Sequence, residues 1–239
     1  MGAASQPFRD KDSDAYRKLD ELPGRLCREV EREVRGGGTA TVQLARQWQT
    51  AVLIGIELMI PLRLKNLAEL HLGADLIRHP DRRLFISLWE NQTKNKEPLD
   101  VEVEGPLAEM LRQYIDRYRP ALDPGGSAWL FPGRTPDRPK SHDAIREQIT
   151  STLAKRCGSR WHPHLFRHFA ALRILQHMPD AYGLAQRVLG HKSLDTLMRY
   201  YSGVETAEAL AHFQRIVLGY QPSRRSAPRH TTSGGRHAR

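Results

Sequence analysis

From Val42 onward the apolar residues Leu44, Ala45, Trp48, Val52, Leu53 and Ile56 recur every three or four positions, the spacing of one face of an α-helix. The pattern predicts a strong amphipathic helix that stops before Pro61, because the residue ahead of a proline avoids the α region. A second helix restarts near Leu64. Upstream, Leu19, Leu26, Cys27, Val30 and Val34 recur at roughly helical spacing, interrupted by Pro23-Gly24 and ended by Gly36-Gly37-Gly38; this predicts a lead-in helix and a flexible joint. Further along the period changes to two. Leu84, Ile86 and Leu88 alternate with Phe85, Ser87 and Trp89, and Leu99, Val101 and Val103 alternate with Asp100, Glu102 and Glu104, as in two strands joined by a polar turn. After Gly105-Pro106 the run Leu107, Met110, Leu111, Tyr114, Ile115 and Tyr118 is helical, and Trp129-Leu130-Phe131-Pro132 is a short extended piece between loops. Helices then follow at about 142–155, 163–177, 182–189, 193–201 and 205–218. No internal repeat interrupts this order. The expected fold is one mainly helical α+β domain with a small antiparallel β-sheet over residues 39–220, preceded by the lead-in helix and Gly-rich linker of residues 1–38.

Composition narrows the class. In 239 residues, 39% hydrophobic and 27% charged positions exclude a collagen-like, wholly disordered or membrane-embedded protein. No run approaches the ~18 apolar residues of a membrane span, and Arg9, Asp10, Lys11, Asp12 and Asp14 stand where a signal peptide would be apolar. Cys27 and Cys157 are the only cysteines, so neither a disulfide framework nor a cysteine zinc site is readable, and a reducing, cytoplasmic compartment is expected. The formal net charge is +10, which suits an anionic partner or simple solubility. Half of that excess sits in residues 221–239, whose five Arg and no acid lie among Pro, Ser, Gly and Thr. This basic tail is expected to be disordered.

Four segments carry candidate chemistry. His162-Pro163-His164-Leu165-Phe166-Arg167-His168 opens a helix with proline near the first turn. At ~100° per residue, His164, Arg167, His168 and Ala171 share one stripe; taken alone, they read as surface residues at a helix start, and a zinc pair from His164 and His168 is also conceivable. Val188-Leu189-Gly190 ends a helix and His191 follows. Leu194, Leu197, Met198 and Tyr201 then share an apolar face, which leaves Tyr200 as the one tyrosine of the pair able to point elsewhere. Arg63 is a guanidinium in the apolar company of Ile60, Pro61, Leu62 and Leu64. A buried guanidinium needs an anion, and Glu57, Glu69 or a phosphate can supply one. Lys94 and Lys96 lie in the polar turn between the two strands, where an exposed lysine is ordinary.

In this order, the segments resemble the tyrosine recombinase (phage integrase) family over about 39–218. Pro61-Leu62-Arg63 with Asn66-Leu67 and Leu70 resembles the first arginine box, and Thr93-Lys94 the β-strand lysine, with Lys96 as an alternative. His164-Leu165-Phe166-Arg167-His168 matches the H-x-x-R box. Leu189-Gly190-His191-Lys192-Ser193 matches the L-G-H box, with Tyr200 nine residues after His191, the family's spacing for its nucleophile. Two positions depart from the pattern: Pro61 stands where Gly is usual and Asn66 where an acid is usual. The 38 residues ahead of the catalytic part fall short of the N-terminal helical clamp domain usual in the family.

The resemblance implies a site-specific DNA recombinase that cuts and rejoins DNA through a covalent 3′-phosphotyrosine. The catalytic set it implies is Tyr200 as nucleophile, Arg63 and Arg167 on the non-bridging phosphate oxygens, His164 as base, His191 as a hydrogen-bond donor to the scissile phosphate and Lys94 as acid to the departing 5′ oxygen. Double-stranded DNA is the implied partner, with self-association into a synaptic tetramer and no cofactor, metal, membrane or small-molecule substrate. Lys140, Arg146 and Arg160 are expected to contact phosphates without reading sequence. Two other readings stay open: a DNA-binding remnant that keeps the fold but cannot recombine, and a nicking-closing enzyme that uses the same chemistry without synapsis.

Overall fold

The computed structural model describes residues 14–36, 40–123, 125–158, 163–178 and 181–189. Its elements, in chain order, are α1 (Asp14–Arg35), α2 (Val42–Met59), α3 (Leu64–Ala68), β1 (Leu76–Arg78), β2 (Leu84–Leu88), β3 (Leu99–Val103), α4 (Gly105–Gln113), α5 (His142–Cys157), α6 (His164–His177) and α7 (Tyr182–Leu189). A mainly helical domain with one small antiparallel sheet is the result. The helices expected at 193–201 and 205–218, and the tail at 221–239, lie outside the described residues.

Helix α2 is the axis of the core. The Thr41 hydroxyl caps it by accepting from Leu44 N at 3.2 Å, and it stops at Ile60-Pro61 as the proline rule requires. Its amphipathic character is confined to the first turns, where Gln43 and Arg46 are exposed opposite buried Leu44, Ala45 and Trp48. From Leu44 to Glu57 every position except Arg46 and Gln47 is buried, because α1, α4, α5 and α6 pack around it. A one-sided pattern cannot disclose neighbours on the other side, which cover small or polar residues such as Gly55, Gln49 and Thr50.

Helix α1 runs straight through Pro23-Gly24, where an interruption was expected. An interior proline costs a helix about 3 kcal/mol. Leu19, Leu22, Leu26 and Val30 are all buried, and burying each such side chain contributes about 1.5–3 kcal/mol, so packing outweighs the lost backbone bond. Pro23 is itself seated over Gly55: a Cβ placed on Gly55 would lie 3.0 Å from Leu107 Cδ1 and 3.9 Å from Pro23 Cβ. Ion pairs also tie α1 to its neighbours, with Asp20 to Arg173 of α6 at 2.8 Å and Glu29 to Arg156 of α5 at 2.7 Å.

The sheet has the order β1-β2-β3. Leu84 faces Val103, Ile86 faces Val101 and Leu88 faces Leu99, so the expected hairpin forms and its alternate apolar positions on β2 are buried. Strand β1 has only three residues, Leu76-Ile77-Arg78, too few for alternation to show. The extended piece at Trp129 bridges to His71, and Leu130 N donates to Leu70 O at 2.8 Å.

The helix that starts at Gly105 changes pitch. A π-turn over Tyr114–Tyr118 and a 3-10 turn over Arg119–Ala121 follow α4. This brings Tyr118 onto Trp48, ring centroids 4.3 Å apart and stacked. Trp48 Nε1 donates to Met110 O at 3.0 Å. Beyond the turn, buried Arg119 pairs with Asp123 at 2.8 Å and donates to Trp129 O at 2.7 Å, holding the loop against the body.

Trp48→Ala removes both the stack and the indole hydrogen bond from a side chain that is 1% exposed. The expected loss of unfolding free energy is about 3–5 kcal/mol, measured by urea titration; a loss below about 1 kcal/mol would contradict the placement of Trp48 at the centre of the core.

Candidate active site

Arg167 is the residue around which the motif segments gather. It stands in the first turn of α6 with only 7% exposure, although its helical stripe taken alone reads as surface. Phe166 and Phe169 on either side are buried, and the helix sinks with them. The guanidinium Nη1 donates to Pro61 O at 2.5 Å and Nη2 donates to Leu189 O. One acceptor lies in the joint between α2 and α3 and the other is the last residue of α7, so one fork meets two buried main-chain carbonyls at once. Pro61 lies two residues before Arg63, and Leu189 two before His191. Three motifs that are far apart in sequence thus meet at one side chain.

Arg63 caps the N-terminus of α3 in an extended conformation and is half-buried. Burial lowers its pKa below the ordinary arginine range. Burial, and after it the positive charge of Arg63, lower Arg167 to about 10, with the charge of Glu57 acting the other way. The two guanidinium groups are therefore electrostatic neighbours. Both stay cationic at neutral pH.

Glu57 is one of the two carboxylates that the sequence offers to Arg63. It lies at 1% exposure in the last turn of α2, and neither carboxylate oxygen has a hydrogen-bond partner among the described residues. Burial raises its pKa well above the usual carboxylate range, partly offset by Arg167. Its field thus acts on the second arginine. The other carboxylate, Glu69, sits 3.9 Å from Lys65 Nζ and 3.5 Å from His142 Nε2.

Lys94 and Lys96 are both exposed on the turn between β2 and β3, and Lys96 adopts a left-handed backbone with φ +59°. Asn66, on α3, reaches this turn: its Nδ2 donates to Gln92 O at 2.8 Å. The bond links the element that begins at Arg63 to the turn that holds the lysines. Residue spacing gave no signal of it, because 26 positions separate the partners.

His164 opens α6, but its side chain, like all of His191 and Tyr200, lies outside the described residues. Of the basic residues expected at a DNA surface, Arg146 pairs with Asp143, and Arg160 lies outside the described residues. Lys140 turns inward. Its Nζ donates to Gln49 Oε1 at 2.8 Å and to Gln148 Oε1; Gln49 in turn donates to Tyr114 OH at 2.8 Å, and Gln148 to Thr50 Oγ1 at 2.7 Å. Burial, with the charge of Arg46, lowers the Lys140 pKa to about 8. Among the described residues no three His, Cys, Asp or Glu side chains form a group able to hold a metal ion, and no helix is long and apolar enough to cross a membrane.

The model of the phage integrase family matches residues 41–206. Among solved structures, the XerH site-specific recombinase bound to palindromic difH substrate, a post-cleavage complex, superposes with a TM-score of 0.56 at 20% sequence identity, over 83% of this chain and 52% of that one. The chain spans about half the length of the XerH chain. No curated protein matches it in sequence.

The inward lysine makes a pH-dependent prediction. An unfolded lysine titrates near ~10.4 and the folded Lys140 near about 8, so between these values the unfolded chain binds more protons and stability rises with pH. Lys140→Met removes that contribution. The difference in unfolding free energy between the parent chain and Lys140→Met should shift in favour of the parent as pH rises through this window, measured by urea unfolding at successive pH values; a difference independent of pH would contradict the buried placement.

Proposed function

The chain belongs to the phage integrase family, and from that premise we propose that it is a site-specific recombinase that cuts and rejoins DNA through a 3′-phosphotyrosine. The observation that carries the proposal is the double hydrogen bond of Arg167 to Pro61 O and Leu189 O. It holds the second arginine beside the first and anchors the segment that leads into His191 and Tyr200.

In the proposed reaction the Tyr200 oxygen bonds to phosphorus as the bond from phosphorus to the 5′ oxygen breaks. The phenol proton goes to His164, and a proton from Lys94 goes to the departing oxygen, leaving a 3′-phosphotyrosine and a free 5′ hydroxyl. No water enters, so the phosphodiester energy is kept for attack by a second 5′ hydroxyl. Tyrosine needs help because its ordinary pKa is ~10; the cations of the site favour the phenolate. Arg63, Arg167 and His191 hold the non-bridging oxygens, where negative charge grows in the transition state. Among the described residues Arg167 donates to two carbonyls through two of its five N–H groups, which leaves further donors with which it would hold a phosphate. Two guanidinium groups held close repel one another, and an anion between them relieves that repulsion.

Double-stranded DNA is the proposed partner, and a palindromic duplex, the substrate form in the XerH complex, is the geometry to offer first. Assembly into a tetramer on two such sites, and residence with the nucleoid, belong to the same proposal. The remnant reading shares the DNA partner but not the chemistry.

A duplex nicked close to the cleavage point traps the intermediate, because the short product diffuses away. Expected is a protein–DNA adduct stable in denaturing gels, abolished in Tyr200→Phe and retained in Tyr201→Phe. A salt-sensitive mobility shift without adduct would favour the remnant. Arg63→Ala should slow adduct formation ~10²–10³-fold, the range typical for one preorganised donor, with a much smaller change in DNA affinity; a loss confined to affinity would remove Arg63 from the transition state.

A further inference from the structure

We propose that Asn66 is a positioning residue that hangs the Lys94 turn from the helix beginning at Arg63. The inference deepens the proposed strand-cleavage reading, on which the role of Lys94 rests.

The turn between β2 and β3 is tightly bonded within itself. The Thr93 hydroxyl donates to Glu97 O at 2.7 Å, Asn95 Nδ2 donates to Glu97 Oε2 at 2.8 Å, and Lys96 N donates to Thr93 O at 3.3 Å. Its grip on the body runs through Gln92. On the main chain, Gln92 O accepts from Asn66 Nδ2 at 2.8 Å. On the side chain, Gln92 Oε1 accepts from Trp89 N at 2.7 Å while Nε2 donates to Asp75 Oδ1 at 2.8 Å. Asp75 is buried and its other oxygen accepts from His71 N at 2.9 Å. Asp75 thus fixes the turn to the sheet, whereas Asn66 alone in this set fixes it to the helix that carries Arg63.

The chemistry of position 66 follows. The group to be held is a carbonyl, so the side chain must donate a hydrogen bond, and Asn66 is 8% exposed, which makes an unmatched pair there costly. Asparagine can donate; a carboxylate of the same shape presents oxygen to oxygen and pushes the turn away. The asparagine that stands where the family usually has an acid is thereby matched to its acceptor. If the turn moves, the lysine ammonium loses its approach to the departing 5′ oxygen, while Arg63 and Arg167 keep theirs.

Asn66→Asp is the near-isosteric test, with Asn66→Ala as a second variant. Each is assayed on nicked duplex carrying either the ordinary 5′ oxygen or a bridging 5′ sulfur at the scissile phosphate. A thiol has a pKa near ~8.5 and leaves as thiolate, so it needs no proton from an acid. Expected is a 10-fold or greater loss of adduct formation by Asn66→Asp on oxygen, reduced to within about threefold of the parent chain on sulfur; Lys94→Ala should behave alike and Arg63→Ala should be slow on both. An Asn66→Asp variant equally slow on both substrates, or unimpaired on oxygen, would overturn the proposal. Hydrogen exchange of the full chain reads the anchor independently of catalysis. Amides of residues 92–97 should exchange at least 10-fold faster in both Asn66 variants with those of α2 unchanged; unchanged protection of the turn overturns the anchor. If no variant or parent forms an adduct while exchange responds as expected, the cleavage reading fails and the anchor stands.

Discussion

A buried guanidinium with two carbonyl acceptors is the constraint from which the site is built. Arg167 cannot be removed from water without partners for its N–H groups, and Pro61 O and Leu189 O cannot be buried at helix ends without donors. Each need answers the other. The result is mechanical as well as energetic: the joint after α2, the start of α6 and the end of α7 are held at one point, and Arg63 follows two residues after the first contact. A hydrophobic contact at this place would join the same elements but would tolerate sliding. The directional fork does not.

Electrostatics at that point is unbalanced in a way that suits an anion. Burial lowers both guanidinium groups, and the charge of Arg63 adds to the shift of Arg167, which at about 10 remains cationic at neutral pH. The nearby carboxylate, Glu57, sits so deep that burial favours its protonated form.

Away from the site, one polar network runs through the core beside α2. Gln49 and Thr50 on α2, Tyr114 in the π-turn, Lys140 ahead of α5 and Gln148 within it satisfy one another. These bonds fix the rotation of α2 about its own axis, which apolar packing on every side would leave loosely defined. Since Glu57 lies two turns beyond Gln49 on the same helix, the network also determines where that carboxylate is presented.

Much of the architecture was legible in the sequence because it depends on local periodicity. The helices from α2 to α7 begin and end within a few residues of where apolar spacing and Pro61 place them, and the hairpin of β2 and β3 follows from strict alternation. The resemblance to the family singled out Arg63 and Arg167, whose charges the fold brings into interaction. Tertiary structure decided the rest: that α1 continues through Pro23, that α2 is buried on all sides, that Glu57 acts on Arg167, that Lys140 turns inward and that Asn66 holds Gln92. Periodicity reports what a residue wants from its own helix or strand over one or two turns. Whether a charge is exposed or buried, and which donor meets which carbonyl across dozens of positions, depends on how separate elements share space, and only packing settles that.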